Sequence, residues 1–103
     1  MLLVNTEKIP GKELELIGMV KGAMIQSKNI GKDIMNGLKS LVGGELVGYS
    51  EMLNEARAIA TKRMVEEAEA KGADVIVNIR YTTSAVMQGA AEILVYGTAA
   101  KFK

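Results

Sequence analysis

Residues 50–84 read S-E-M-L-N-E-A-R-A-I-A-T-K-R-M-V-E-E-A-E-A-K-G-A-D-V-I-V-N-I-R-Y-T-T-S, and the hydrophobic period changes inside them. Up to Lys71, apolar residues recur every three or four positions: Leu53, Ala56, Ile59, Ala60, Met64 and Ala68. That stripe predicts an amphipathic helix over 50–71. Ser50 is a suitable N-cap. Glu51 and Glu55 sit toward the positive end of the helix, and Lys71 sits in its last turn. Gly72 is the expected C′ residue. Ala dominates the stripe, so the helix should lie close to whatever it covers. Past Gly72, Val75, Val77, Ile79 and Tyr81 alternate with Asp74, Ile76, Asn78 and Arg80, which predicts a strand over 73–83.

Outward from this unit, residues 91–102 and 14–27 also have strand character. Residues 84–90 read as the connection between the last two strands. Near the N-terminus, residues 1–5 form a short strand and Pro10-Gly11 marks a turn, because Pro fixes φ and Gly permits positive values. Residues 29–42 return to helical spacing through Ile30, Ile34, Leu38 and Leu41, with Gly31 and Gly37 weakening the helix. Gly43-Gly44 ends it. The expected fold is α+β: one domain over 1–103, with a long helix on one face of a three- or four-stranded antiparallel sheet, plus a short helix.

On the long strands both parities are apolar. In 14–27, Leu14, Leu16, Val20 and Met24 lie on one side, and Ile17, Met19, Ala23 and Ile25 on the other. One helix covers one face only. An uncovered apolar face on a soluble chain predicts contacts with further subunits; the alternative is that the helix expected over 29–42 covers it. Gly18, Gly22 and Gly97 read as small gaps where another backbone approaches.

Composition removes several kinds of chemistry. The 103 residues contain no His, Cys or Trp. That excludes Cys/His zinc sites, Ser-His and Cys-His catalysis, disulfides and thiol redox centres. The net charge is +1 with interspersed signs, unlike the basic patch of a nucleic-acid binder. No apolar run approaches the ~20 residues of a membrane-spanning helix. With no basic segment leading into an apolar h-region at the N-terminus, a cytoplasmic protein is expected.

Several stretches together resemble the YbjQ family, small bacterial and archaeal proteins of uncharacterised function. They are N-I-G-K-D-I at 29–34, G-G-E-L at 43–46, Y-S-E-M-L-N-E-A-R at 49–57, residues 63–84, and E-I-L-V-Y-G-T-A-A at 92–100. The resemblance spans nearly the whole chain. It implies a dodecin-like subunit fold and a homopentamer assembled through the sheets. It also brings a heavy-metal-binding label. Without Cys or His, soft metals lack their preferred ligands, whereas carboxylates suit Mg²⁺ or Ca²⁺.

The candidate residues follow from these readings. Asn78 and Arg80 share one strand parity, about 7 Å apart, and with Thr82 form a polar row. Glu92 is the expected partner of Arg80 if the last two strands pair. Arg57 presents a fork suited to a carboxylate or phosphate, or to an ion pair with Glu51, Asp74 or a neighbouring subunit. Glu45, Glu51 and Glu55 are the candidate hard-metal carboxylates. Their structural alternative is helix-dipole and loop contacts. Tyr49, Tyr81 and Tyr96 read as packing residues rather than a stacking platform. The seven Met residues read as core filler. No cofactor is expected beyond a possible hard metal. The main functional reading is a homo-oligomeric binding or structural protein with ligand or anion sites between subunits. The alternatives are an oxygen-ligated metal-binding protein and a small enzyme using Glu, Arg or Tyr; enzyme activity is not expected.

Overall fold

The structure, a computed structural model, describes residues 1–27, 41–42, 45–87 and 89–103; for Leu41, Val42, Glu45, Leu46, Val47 and Tyr49 it describes the backbone alone. The elements are β1 (Leu2–Leu3), β2 (Leu14–Ser27), β3 (Leu41–Val42), β4 (Glu45–Leu46), α1 (Val47–Ala70), β5 (Val75–Met87) and β6 (Ala90–Phe102). Four strands form one sheet in the order β1-β5-β6-β2, and β3 and β4 pair separately.

The sheet is mixed rather than antiparallel. β2, β6 and β5 run antiparallel to their neighbours, but β1 pairs parallel with β5 through Leu2 to Val75 and Leu3 to Ile76. The helix of the intervening chain allows this, since a parallel pair needs a long crossover. Most of the helix expected over 29–42 lies outside the described residues, as does the Gly43-Gly44 turn. Its last two positions, Leu41 and Val42, form β3.

Helix α1 begins three residues before the expected start, so Ser50 lies inside its first turn and is not the N-cap. No acidic residue occupies that first turn, and no basic residue occupies the last. Glu51 therefore lies too deep for the role expected of it. Lys71 sits just beyond the helix and pairs with Glu67 at 3.8 Å. The C-terminus is as the sequence predicts. Gly72 adopts φ 76°. Its N–H donates to the Glu69 carbonyl (3.0 Å), and the Ala73 N–H donates to Ala68 (3.1 Å). This is a Schellman closure.

The segment expected as a connection, 84–90, is mostly strand: β5 runs on to Met87 and β6 starts at Ala90. Gly89, at φ 77°, supplies the left-handed residue of the tight turn.

The helix lies on the sheet face formed by Val20, Ile76, Ile79, Ile93, Val95 and Ala99, burying Ala56, Ala60, Met64 and Ala68 against them. The small residues permit close approach. A Cβ on Gly22 would collide with the Ala60 carbonyl oxygen and lie 2.6 Å from the Met64 nitrogen. At Gly97, the missing Cβ leaves room for Ile76 Cγ2 (2.7 Å) and the Val77 carbonyl (2.9 Å). Both glycines thus admit the chain's own helix and strand, not a neighbouring subunit. Gly18, with φ 147°, marks a bulge in β2 and has open space beside it.

Among the described residues, one end of the opposite face is covered. There Val75, Val77 and Ala100 pack with Val4, Ile9, Leu14 and Phe102. No other described residue packs over the rest of the face. Met19 (67% exposed), Ile25 (58%) and Tyr96 (39%) project from it.

Candidate functional site

Strand β5 contains the main irregularity near the candidate residues. Its register with β6 shifts between Val77 and Arg80, so one extra residue is accommodated there. Asn78 sits in this bulge with φ 55°, the one non-glycine positive φ among the described residues. Asn is found in this region more often than most other non-glycine residues. The bulge moves Val77 and Ile79 to opposite faces: Val77 joins the N-terminal cluster and Ile79 the helix-side core. The strict alternation expected over 75–81 therefore breaks at Asn78.

The expected polar row does not persist as a unit. Asn78 donates its N–H to the Thr6 carbonyl (2.9 Å), and it lines a cleft beneath the Pro10–Gly11 turn. The Arg80 Nη1 donates instead to the carbonyls of Asn5 (2.8 Å) and Ile79 (3.0 Å). This pins the N-terminal segment to β5. Thr82 is exposed and opposite Leu94.

Strands β5 and β6 do form a hairpin, yet Glu92 does not meet Arg80. The register places Arg80 opposite Tyr96 and Ser84 opposite Glu92. Four residues of strand separate the two charges, about 13 Å.

Arg57 also makes a structural contact. Its Nη1 donates to Asn54 Oδ1 (2.8 Å), rather than to Glu51 or Asp74. Asp74 accepts the Phe102 N–H at 3.0 Å. The Thr61 hydroxyl donates to the Arg57 carbonyl (2.7 Å) and also meets the Tyr81 hydroxyl (2.7 Å). Tyr81 thereby ties β5 to the helix. Arg63 makes a second tie, donating to the Ala23 carbonyl of β2.

Glu51 and Glu55 are exposed on the helix, and the Glu45 side chain lies outside the described residues. Among the described residues, no three Asp, Glu, His or Cys side chains form a group able to hold a metal ion. No helix there is long and apolar enough to cross a membrane.

The cleft itself was not legible in the sequence beyond its Pro10-Gly11 turn and Asn78. It has a volume of about 750 Å³ and lies between that turn and the open sheet face. Leu14, Leu16 and Val77 line it with apolar surface. Asn78 and Thr98 add polar groups, and Lys8 and Lys12 add positive charge.

A solved structure from Pediococcus pentosaceus, a protein of unknown function of the DUF74 family, superposes with a TM-score of 0.68. It covers 100% of this chain and 98% of that one, at 12% identity, and so shares the fold. Closer in sequence are the UPF0145 proteins. Those of Clostridium novyi and Alkaliphilus metalliredigens are each 69% identical, covering 98% and 99% of both chains respectively. The UPF0145 protein of Methanosarcina acetivorans is 59% identical over 98% of this chain and 96% of its own. A family model described as "Putative heavy-metal-binding" matches residues 1–103. The described side chains do not fit such a metal: the sequence lacks Cys and His, and the described carboxylates are dispersed. The match over every residue, with close relatives aligned end to end, establishes that this chain belongs to the YbjQ family.

Proposed function

We propose that the chain is a subunit of a homo-oligomer, a pentamer as the family resemblance implies, with a binding or structural role and small-ligand or anion sites at its subunit boundaries. The observation that carries this reading is the open sheet face. Met19, Ile25 and Tyr96 project from it, each more than a third exposed. Full burial of an exposed Leu, Ile or Met stabilises an assembly by roughly 1.5–3 kcal/mol, and these partly exposed side chains have about half of that to gain. Two further features support the reading. Among the described residues β2 is an edge strand along its whole length, and β5 has no partner strand on its outer side beyond the N-terminal segment. Long bare edges are normally covered. The radius of gyration, 16.9 Å, also exceeds the ~13 Å of a compact chain this long.

A binding or structural role fits the side chains better than catalysis. Arg80, Arg57 and Tyr81 are engaged in holding Asn5, Asn54 and Thr61. Size-exclusion chromatography with light scattering, followed by native mass spectrometry, tests the assembly. A clean monomer at micromolar concentration would remove the proposal.

A further inference from the structure

The cleft beneath the Pro10–Gly11 turn is built from one chain, so its chemistry can be read without a neighbour. Its outer wall is held firmly. Pro10 and Gly11 (φ 77°) form a type II turn closed by the Lys12 N–H on the Ile9 carbonyl at 3.1 Å. The segment leading into the turn is pinned by the Asn78 N–H on Thr6 and by Arg80 on Asn5. Val4 and Ile9 pack beneath it. A pre-formed wall of this kind suits a small-molecule site, and about 750 Å³ falls within the usual range for one.

The lining specifies the kind of molecule. Leu16, 68% exposed, and the half-buried Leu14 present an apolar surface over the buried Val77. Asn78 and Thr98 are half-buried, and neither side chain has a hydrogen-bond partner among the described residues. Lys8 and Lys12 stand on the rim against the single carboxylate of Glu7. Neither lysine has a carboxylate partner there; Lys12 instead lies 5.4 Å from the Phe102 ring centroid.

Asn78 gives the second observation. Its φ of 55° is a conformation that glycine adopts at no steric cost. An asparagine here keeps a carboxamide at the cleft despite the strained backbone, and such strain is concentrated where a side chain has a task.

We propose that this cleft binds a small amphipathic carboxylate. Its apolar chain lies along Leu14, Leu16 and Val77. Asn78 and Thr98 offer hydrogen-bond donors to its head, while Lys8 and Lys12 select its charge.

Decanoate is the probe, with decylamine as its charge-reversed counterpart. Both are titrated into ¹⁵N-labelled protein below their aggregation concentrations. Decanoate should give saturable shifts at the amides of Leu14, Leu16, Val77, Asn78 and Thr98, with decylamine at least tenfold weaker. Lys8→Glu combined with Lys12→Glu should weaken decanoate at least tenfold. Asn78→Gly, which relieves the backbone, should keep the fold and weaken decanoate severalfold. Equal binding of the two amphiphiles, no saturable shifts, or shifts confined to other residues would overturn the proposal. The ligand pair is compared on unaltered protein, so a variant that fails to fold leaves the test intact. Light scattering on the same samples separates this site from the oligomer, since either can fail alone.

Discussion

Replacing Gly22 with alanine probes how closely the helix rests on the sheet. The new Cβ would meet two helix backbone atoms, the Ala60 carbonyl oxygen and the Met64 nitrogen, the latter at 2.6 Å. Neither can move aside as a flexible side chain would, so the whole helix must lift from β2. Overpacking of a close-packed core costs about 1–3 kcal/mol, and a collision with backbone belongs at the upper end, about 3 kcal/mol. For a chain of this length that corresponds to a fall in melting temperature of roughly 12–24 °C. Gly48→Ala is the matched control. It lies in the same helix with nothing within 4 Å of the new Cβ. Reduced freedom of the unfolded chain should stabilise it by about 0.4–1 kcal/mol. Urea unfolding followed by far-UV circular dichroism measures both. Chain concentration must be held fixed, because association adds to apparent stability. If Gly22→Ala unfolds within about 0.5 kcal/mol of the parent, the helix does not rest on this backbone and the packing argument is refuted.

Charge on the open sheet face should act on assembly and not on the subunit: Met19→Glu with Ile25→Glu should shift the light-scattering mass downward while the helical signal persists. An unchanged mass would place the subunit contacts elsewhere. At the β5 bulge, Asn78→Ala should destabilise by about 1–2 kcal/mol, because a left-handed φ opposes its Cβ, whereas Asn78→Gly should not. Equal melting of the two variants would mean that the bulge relaxes freely. Tyr81→Phe removes the 2.7 Å contact with Thr61 and should cost about 0.5–1.5 kcal/mol in chemical unfolding. Arg80→Met removes the donor to the Asn5 carbonyl and should speed hydrogen exchange at Val4 and Asn78 selectively. Uniform acceleration across the sheet would contradict a local pin.

Periodicity alone located the long helix and the strands, because burial against one face imposes it on the sequence. Of the expected stripe, Ala56, Ala60, Met64 and Ala68 are fully buried and Leu53 packs against their cluster, while Ile59 is half-buried. Residues 14–27 form a strand with those same bounds, and Gly72 closes the helix as its lack of a Cβ allows. The apolar character of both strand faces was equally legible, and among the described residues most of one face has nothing packed over it.

Tertiary structure decided what depends on partners distant in the chain. The parallel addition of β1 at one edge makes the sheet mixed; two apolar residues carry no signal of strand direction. The bulge at Asn78 breaks an alternation that looked unbroken, since a bulge adds a residue without altering composition. Hairpin register separates Arg80 from Glu92 and leaves Arg80 to secure Asn5, so residue type and parity were insufficient to identify a site. Gly22 shows the same division. Its sequence position indicated a close approach, but only the three-dimensional packing identified the approaching backbone as the chain's own helix.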